Sequence, residues 1–179
     1  RELILEHGIN SLTISQIAQT AGVGKGTIYE YFDNKEDIVF EIITTFIDEH
    51  EKKLLELVAA QTTTKEKLFH FFYRFFENEM ARKQLKIYKE FLAISLINEP
   101  EEMLVFREQN HNKYIMILNQ IIESGRTSGE IENHMQISSS TLLLFATGLV
   151  VDAHLGSCDI KNEIKLFLDM LFPSNEKEV

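Results

Sequence analysis

Apolar residues recur at spacings of three and four along almost the whole chain, and no run alternates apolar with polar residues between paired turn signals. The first pattern marks a helix face and the second a half-buried strand, so the fold is expected to be all-α. Two prolines, Pro100 and Pro173, and eight glycines among 179 residues leave few breakers, which favours long helices. The periodicity predicts helices over about 1–7, 14–21, 25–32, 35–60, 65–82, 84–97, 101–127, 139–156 and 160–172, with Pro100 opening the seventh and a linker at 61–64. Thr13 and Gln16 fit a capping box, Gly22 a stop, and Val23 a plug between two short helices.

Charge and cysteine content exclude several classes. The net charge is −10 and the pI about 5.1, which argues against a protein that coats nucleic acid without regard to sequence. A small local DNA-reading face is still compatible with it. The single cysteine, Cys158, permits neither an internal disulfide nor a two-thiol metal or redox site, and His7, His50, His70, His111, His134 and His154 lack metal-ligand spacing. No metal or cofactor is expected. The longest apolar stretch, 141–151, falls short of the roughly 20 residues a bilayer requires. No basic segment leads into an apolar one at the start, and a cytoplasmic location is expected. The run from Gly22 to Thr27 superficially resembles a phosphate loop but has no Ser or Thr directly after Gly-Lys, no correctly placed upstream Gly and no preceding strand. No nucleophile, base and orienting group stand in a catalytic pattern, so an enzyme is not expected.

Residues 13–35, TISQIAQTAGVGKGTIYEYFDNK, encode two short helices joined by a tight glycine turn, with Ile17 and Ala18 facing Val23 and Ile28. This is a helix-turn-helix. Its second helix must enter a major groove about 12 Å wide, so its leading side chains must be small or able to bond base edges. Lys25 can reach a guanine edge or a phosphate, Gly26 permits close backbone approach, and the Thr27 hydroxyl suits a phosphate or a thymine methyl. Tyr29 lies on the groove side. Tyr31 is balanced between phosphate contact and core packing, and Phe32 belongs to the core. Thr13 and Ser15, which open the first of the two helices, are also expected DNA contacts, and Lys35 adds charge to the positive end of the next helix dipole, where a phosphate is attracted.

The segments Ser15-Gln16-Ile17-Ala18, Ala21 through Phe32, and Asn34-Lys35-Glu36-Asp37-Ile38 resemble the DNA-binding signature of TetR/AcrR-type transcriptional regulators. A Gly-x-x-x-Gly-Glu-Ile run at 125–131 is similar to one at the same relative place in that family. The resemblance implies a three-helix reader over 1–47 and a helical ligand-binding and dimerisation domain over 48–179. It also implies a longer first helix than the one opening at Arg1, so N-terminal residues are expected to be missing. Gly24 stands where a capping Ser is frequent, a change worth about a few tenths of a kcal/mol. Residues 1–35 hold three basic and four acidic side chains, so specific binding weakened by salt is expected.

Beyond the reader, aromatic density around 69–76 suggests a pocket among the middle helices for an apolar or aromatic effector, with Phe72, Phe76, Tyr88, Phe91, Phe106, Asn110, His111 and Tyr114 as candidate lining residues. His111 is the polar group expected among the rings. Glu90 and Asp152 read equally as lining charges for a cation or as solvated or capping charges. The last two helices carry apolar surface broad enough to form an intermolecular four-helix bundle through Leu142, Phe145, Leu149, Ile164, Phe167, Leu168 and Leu171. The function expected is a homodimeric repressor on double-stranded operator DNA; the family resemblance implies that it is released when a small effector binds between the middle helices and moves the long helix starting at Lys35. The alternative is a helical ligand-binding or scaffold protein whose helix-turn-helix is degenerate.

Overall fold

The computed structural model describes residues 1–98, 101–132, 134–153 and 159–173. Among them the chain is helical without strands: α1 Glu2–His7, α2 Ile14–Ala21, α3 Lys25–Tyr29, α4 Lys35–Ala59, α5 Thr64–Tyr73, α6 Glu79–Asn98, α7 Glu101–Ser128, α8 Ser139–Asp152 and α9 Ile160–Leu171. The helix opening expected at Pro100, the end expected at Gly156, and His154 and Cys158 lie outside the described residues. No described helix is long and apolar enough to cross a membrane.

Two compact units emerge, Arg1–Lys52 with Phe75–Met103, and Lys53–Arg74 with Leu104–Val179. In the first, Ala18, Ile28 and Ile38 form a small core completed by Ile14, Ile17, Phe32 and Ile42. Val23, expected to plug the angle between α2 and α3, is instead 41% exposed; its amide closes α2 by bonding Ala18 O at 3.0 Å, and its side chain points out of the core. α6 belongs to this unit and packs against α1.

The helix expected over 65–82 is broken. α5 stops at Tyr73, where the Arg74 guanidinium donates to Phe71 O and lies 4.2 Å from the Phe71 ring centre. α6 starts afresh because Asn78 Oδ1 accepts from Ala81 N at 2.9 Å, an N-cap with Glu79 favourably placed in the first turn.

In the second unit α5 packs on α9, and Phe71, Phe72, Leu118, Ile121, Ile131, Leu142, Ile164 and Leu168 are buried. Lys67 is buried and donates from Nζ to Val58 O at 2.8 Å, satisfying a carbonyl in the last turn of α4. The Gly-x-x-x-Gly-Glu-Ile run closes α7 onto α5: Glu130 Oε2 accepts from Thr64 N at 2.7 Å, and Oε1 from the Ser128 hydroxyl at 3.0 Å. Gly125 leaves room for Thr64, whose Oγ1 would stand 2.5 Å from a Cβ there.

The expected intersubunit surface needs correction. Leu142, Leu149, Ile164 and Leu168 are buried within their own chain, and Phe145, Phe167 and Leu171 are half-buried. The stripe on α9 is its inward face, consumed by α5. The outward apolar side chains of these helices are Leu144 (72% exposed), Val151, Leu166 and Met170 (79% exposed).

Candidate nucleic-acid interface

The reader is held by local bonds that its sequence specifies. Thr13 caps α2: its hydroxyl accepts from Gln16 N at 3.3 Å and donates to Gln16 Oε1 at 2.7 Å, while its own amide donates to the same oxygen at 3.0 Å. Gly22 ends α2 in the left-handed conformation, φ 69°, ψ 26°, which a side chain would disfavour. Gly24 then caps α3 through its carbonyl, which accepts from Thr27 N and Ile28 N at 3.1 and 3.4 Å. The expected end of α3 at Phe32 shortens to Tyr29, although the amides of Tyr31 and Phe32 still turn back onto Ile28 O at 3.1 and 3.0 Å.

Of the five residues of α3 only Ile28 is buried. Lys25, Gly26, Thr27 and Tyr29 are exposed together on the side away from the Ala18–Ile28–Ile38 core, and Tyr31 follows them into solvent. A Cβ added at Gly26 would meet nothing within 4 Å, so the backbone there is open to approach. Ser15 is exposed on α2, and Lys35 is half-buried at the start of α4. Thr13 is exposed, but its hydroxyl proton is committed to Gln16. The acids nearby are partly occupied as well: Asp37 Oδ2 accepts from Asp33 N at 3.0 Å and Asn34 N at 3.3 Å, and Asn34 Oδ1 accepts from Asp37 N at 2.9 Å, recapping the chain into α4.

The expected effector residues divide between the units. Phe76 and Phe91 are buried and Tyr88 half-buried in the first; the Phe91 ring centre lies 6.4 Å from that of Phe40 on α4. In the second, Phe72 meets Phe145 and Phe167 edge-on at 5.2 and 5.9 Å, and these two stack at 3.9 Å. Tyr114 is edge-on to Phe71 at 6.4 Å and lies under the Arg74 guanidinium at 5.4 Å. Asn110 Nδ2 donates to Phe106 O at 2.7 Å within α7. His111, expected among the rings, is exposed instead, because its position on α7 faces solvent. Among the described residues no group of His, Cys, Asp or Glu is arranged to hold a metal ion.

Two features escaped the sequence. A cleft of about 420 Å³ lies within the first unit, lined largely by Leu3, Ile4, Leu12, Ile17, Ile38 and Ile42, in the reader and not among the middle helices. Glu90 on α6, which the sequence leaves open between a lining charge and a solvated or capping one, accepts from the amide of Ile9 at 2.8 Å across 81 positions of sequence, a partner that nothing near either residue in the chain announces.

Comparison with known proteins places this geometry. The family described as bacterial regulatory proteins, tetR family, matches residues 1–42. The fatty acid metabolism regulator protein of Bacillus subtilis (strain 168) is 30% identical over 149 residues, which are 82% of this chain and 74% of that protein. The structure of the transcriptional regulator FadR from Bacillus subtilis in complex with stearoyl-CoA is 25% identical with a TM-score of 0.64, covering 96% of this chain and 93% of that one. The reduced form of NemR from E. coli, 16% identical, shares the fold with a TM-score of 0.74 over 97% of this chain and 93% of its own. With the family pattern lying on the exposed α3 and its caps, and a regulator matched well beyond the reader, the chain belongs to the tetR family of bacterial transcriptional regulators.

Proposed function

We propose that this regulator is a repressor that leaves its operator when it binds an effector whose bulk is an apolar chain, a long-chain fatty acyl thioester being the class to test first. The observation that carries the DNA-binding half is α3 itself, one buried side chain and four exposed positions fit for a groove. Regulators of this family bind operator DNA, pair as homodimers and respond to small molecules. In this reading the reader spans 1–47 and the regulatory region 48–179. Lys25 bonds a guanine edge or a phosphate, Thr27 and Gly26 lie against the groove floor, and Tyr29, Tyr31 and Ser15 hold phosphates. Thr13 contributes by fixing α2, and Lys35 joins its charge to the α4 dipole.

The effector class is supported by the likeness past the reader to a fatty acid metabolism regulator, and by a related structure that holds stearoyl-CoA. Within the second unit, Phe72, Phe106, Asn110 and Tyr114 supply rings and a polar group of the kind such a site uses, with His111 exposed on the same helix as the last three. The subunits pair through Leu144, Val151, Leu166 and Met170, apolar side chains that α8 and α9 leave uncovered. Two recognition helices then stand about 34 Å apart on successive major grooves. The protein works beside DNA in the cytoplasm and catalyses nothing.

The test is a mobility shift with genomic fragments, repeated across salt concentrations and with stearoyl-CoA added. Sequence-specific retardation that weakens with salt and is reversed by stearoyl-CoA is the expected result. No retardation at low salt favours a helical ligand-binding protein with a degenerate reader, a reading that the surplus of acids in 1–35 recommends.

A further inference from the structure

We infer that Glu90 is a positioning residue that fastens the reader to α6, and that this attachment, added to the continuous helix α4, sets the angle at which α3 meets DNA. The inference rests on α3 being the recognition helix. Its physical basis lies wholly within the first unit, which α6 shares with the reader.

The loop between α1 and α2 runs through Gly8 and Ile9, both buried, to Leu12, also buried, and then to the cap residue Thr13. A buried amide must find an acceptor, and for Ile9 that acceptor is not backbone but the Glu90 carboxylate, Oε2 at 2.8 Å in a part-buried position. Gly8 is shaped for the same contact. Its φ of +81° disfavours a side chain, and a Cβ there would stand 3.0 and 3.1 Å from the two Glu90 oxygens. α1 and α6 pack together around this point.

One position further along α6, Phe91 is buried with its ring 6.4 Å from Phe40 on α4. α6 therefore touches both the loop that leads into the helix-turn-helix and the helix that leaves it. A rigid body held at two separated points can turn only about the line that joins them.

The experiment uses the full chain and an operator selected with the wild-type protein, synthesised also with its half-sites one base pair closer and one farther apart. Glu90→Ala removes the acceptor, Glu90→Asp keeps the charge but withdraws its reach, and Glu90→Gln keeps reach with a neutral acceptor. Hydrogen exchange at the 8–12 segment is expected to quicken by about tenfold or more in Glu90→Ala and Glu90→Asp, with α5 and α9 unchanged. Both variants lose operator affinity, and their preference for the native spacing over the altered ones flattens. Glu90→Gln stays close to wild type in both readouts, which keeps the test sharp should Glu90→Ala fold poorly. Wild-type affinity and spacing preference in Glu90→Asp overturn the proposal, as does an equal loss on all three operators. A wild-type chain that retains no DNA at low salt overturns the reader assignment itself, a result distinct from either.

Discussion

Ile28 and Tyr29 are neighbours in the chain and opposites in the fold: Ile28 is 9% exposed and seals the core under Ala18 and Ile38, while Tyr29 is 55% exposed on the far side of the same helical turn. Substitutions on the exposed side should therefore change DNA binding and leave folding alone. Lys25→Ala is expected to cost about 1–3 kcal/mol of operator affinity if the ammonium reads a base, or to lower the salt slope by about 1 if it meets a phosphate. Tyr29→Phe should cost about 0.5–1.5 kcal/mol of binding. Fluorescence anisotropy against operator DNA measures both, and a drop in melting temperature of several degrees would make either residue structural.

Two glycines in helices make opposite demands. At Gly26 nothing lies within 4 Å of an added methyl, so Gly26→Ala should fold as well as wild type or better, by up to about 1 kcal/mol of helix propensity, yet bind operator more weakly. At Gly125 the methyl would fall 2.5 Å from Thr64 Oγ1 and 2.9 Å from Ile131 Cδ1, and both neighbours are buried. Gly125→Ala should cost about 1–3 kcal/mol in urea denaturation. Undiminished operator affinity in Gly26→Ala would show that no backbone approaches the bases there.

The outward and inward faces of α8 and α9 can be separated in the same way. Leu144→Glu combined with Met170→Glu should yield a folded monomer by light scattering, with a mass near 20.8 kDa, because neither side chain supports its own chain's core. Leu142→Ala or Leu168→Ala should instead cost about 2–5 kcal/mol of stability. A dimer that survives the double glutamate substitution would place the seam elsewhere.

The start of α5 carries an acid-sensitive cap. Thr63 and Glu66 form a reciprocal box in which the Glu66 carboxylate accepts from Thr63 N and Oγ1, both at 3.0 Å, and these bonds hold its pKa below the ordinary 4.5. A lowered carboxylate pKa stabilises the fold at pH above the unfolded value, and that contribution is lost as pH falls through the folded one. Melting temperature should thus decline below about pH 4.5 less steeply in Glu66→Gln than in wild type. Parallel declines would show that the box contributes nothing.

The helix-turn-helix was legible because every bond that shapes it is local: Thr13 to Gln16, Gly22 at its left-handed turn, and the Gly24 carbonyl to Thr27 and Ile28. The break between α5 and α6 was not, because Phe72, Phe76 and Met80 keep helical spacing straight across it while Asn78 begins a new cap. The phase of α8 was illegible for another reason: a helix apolar nearly all round gives no clue which side its own chain will cover, so Leu142 and Leu144 look alike until α5 and α9 are in place. Glu90 shows the limit of local chemistry, since a lone carboxylate on α6 acquires meaning only when the Ile9 amide arrives from far away in the sequence.

The stacked pair Phe145 and Phe167, with Phe72 edge-on to both, ties α5, α8 and α9 together through three rings. A guest inserted among these rings would have to offset a mutual attraction of about 0.5–1.5 kcal/mol per pair.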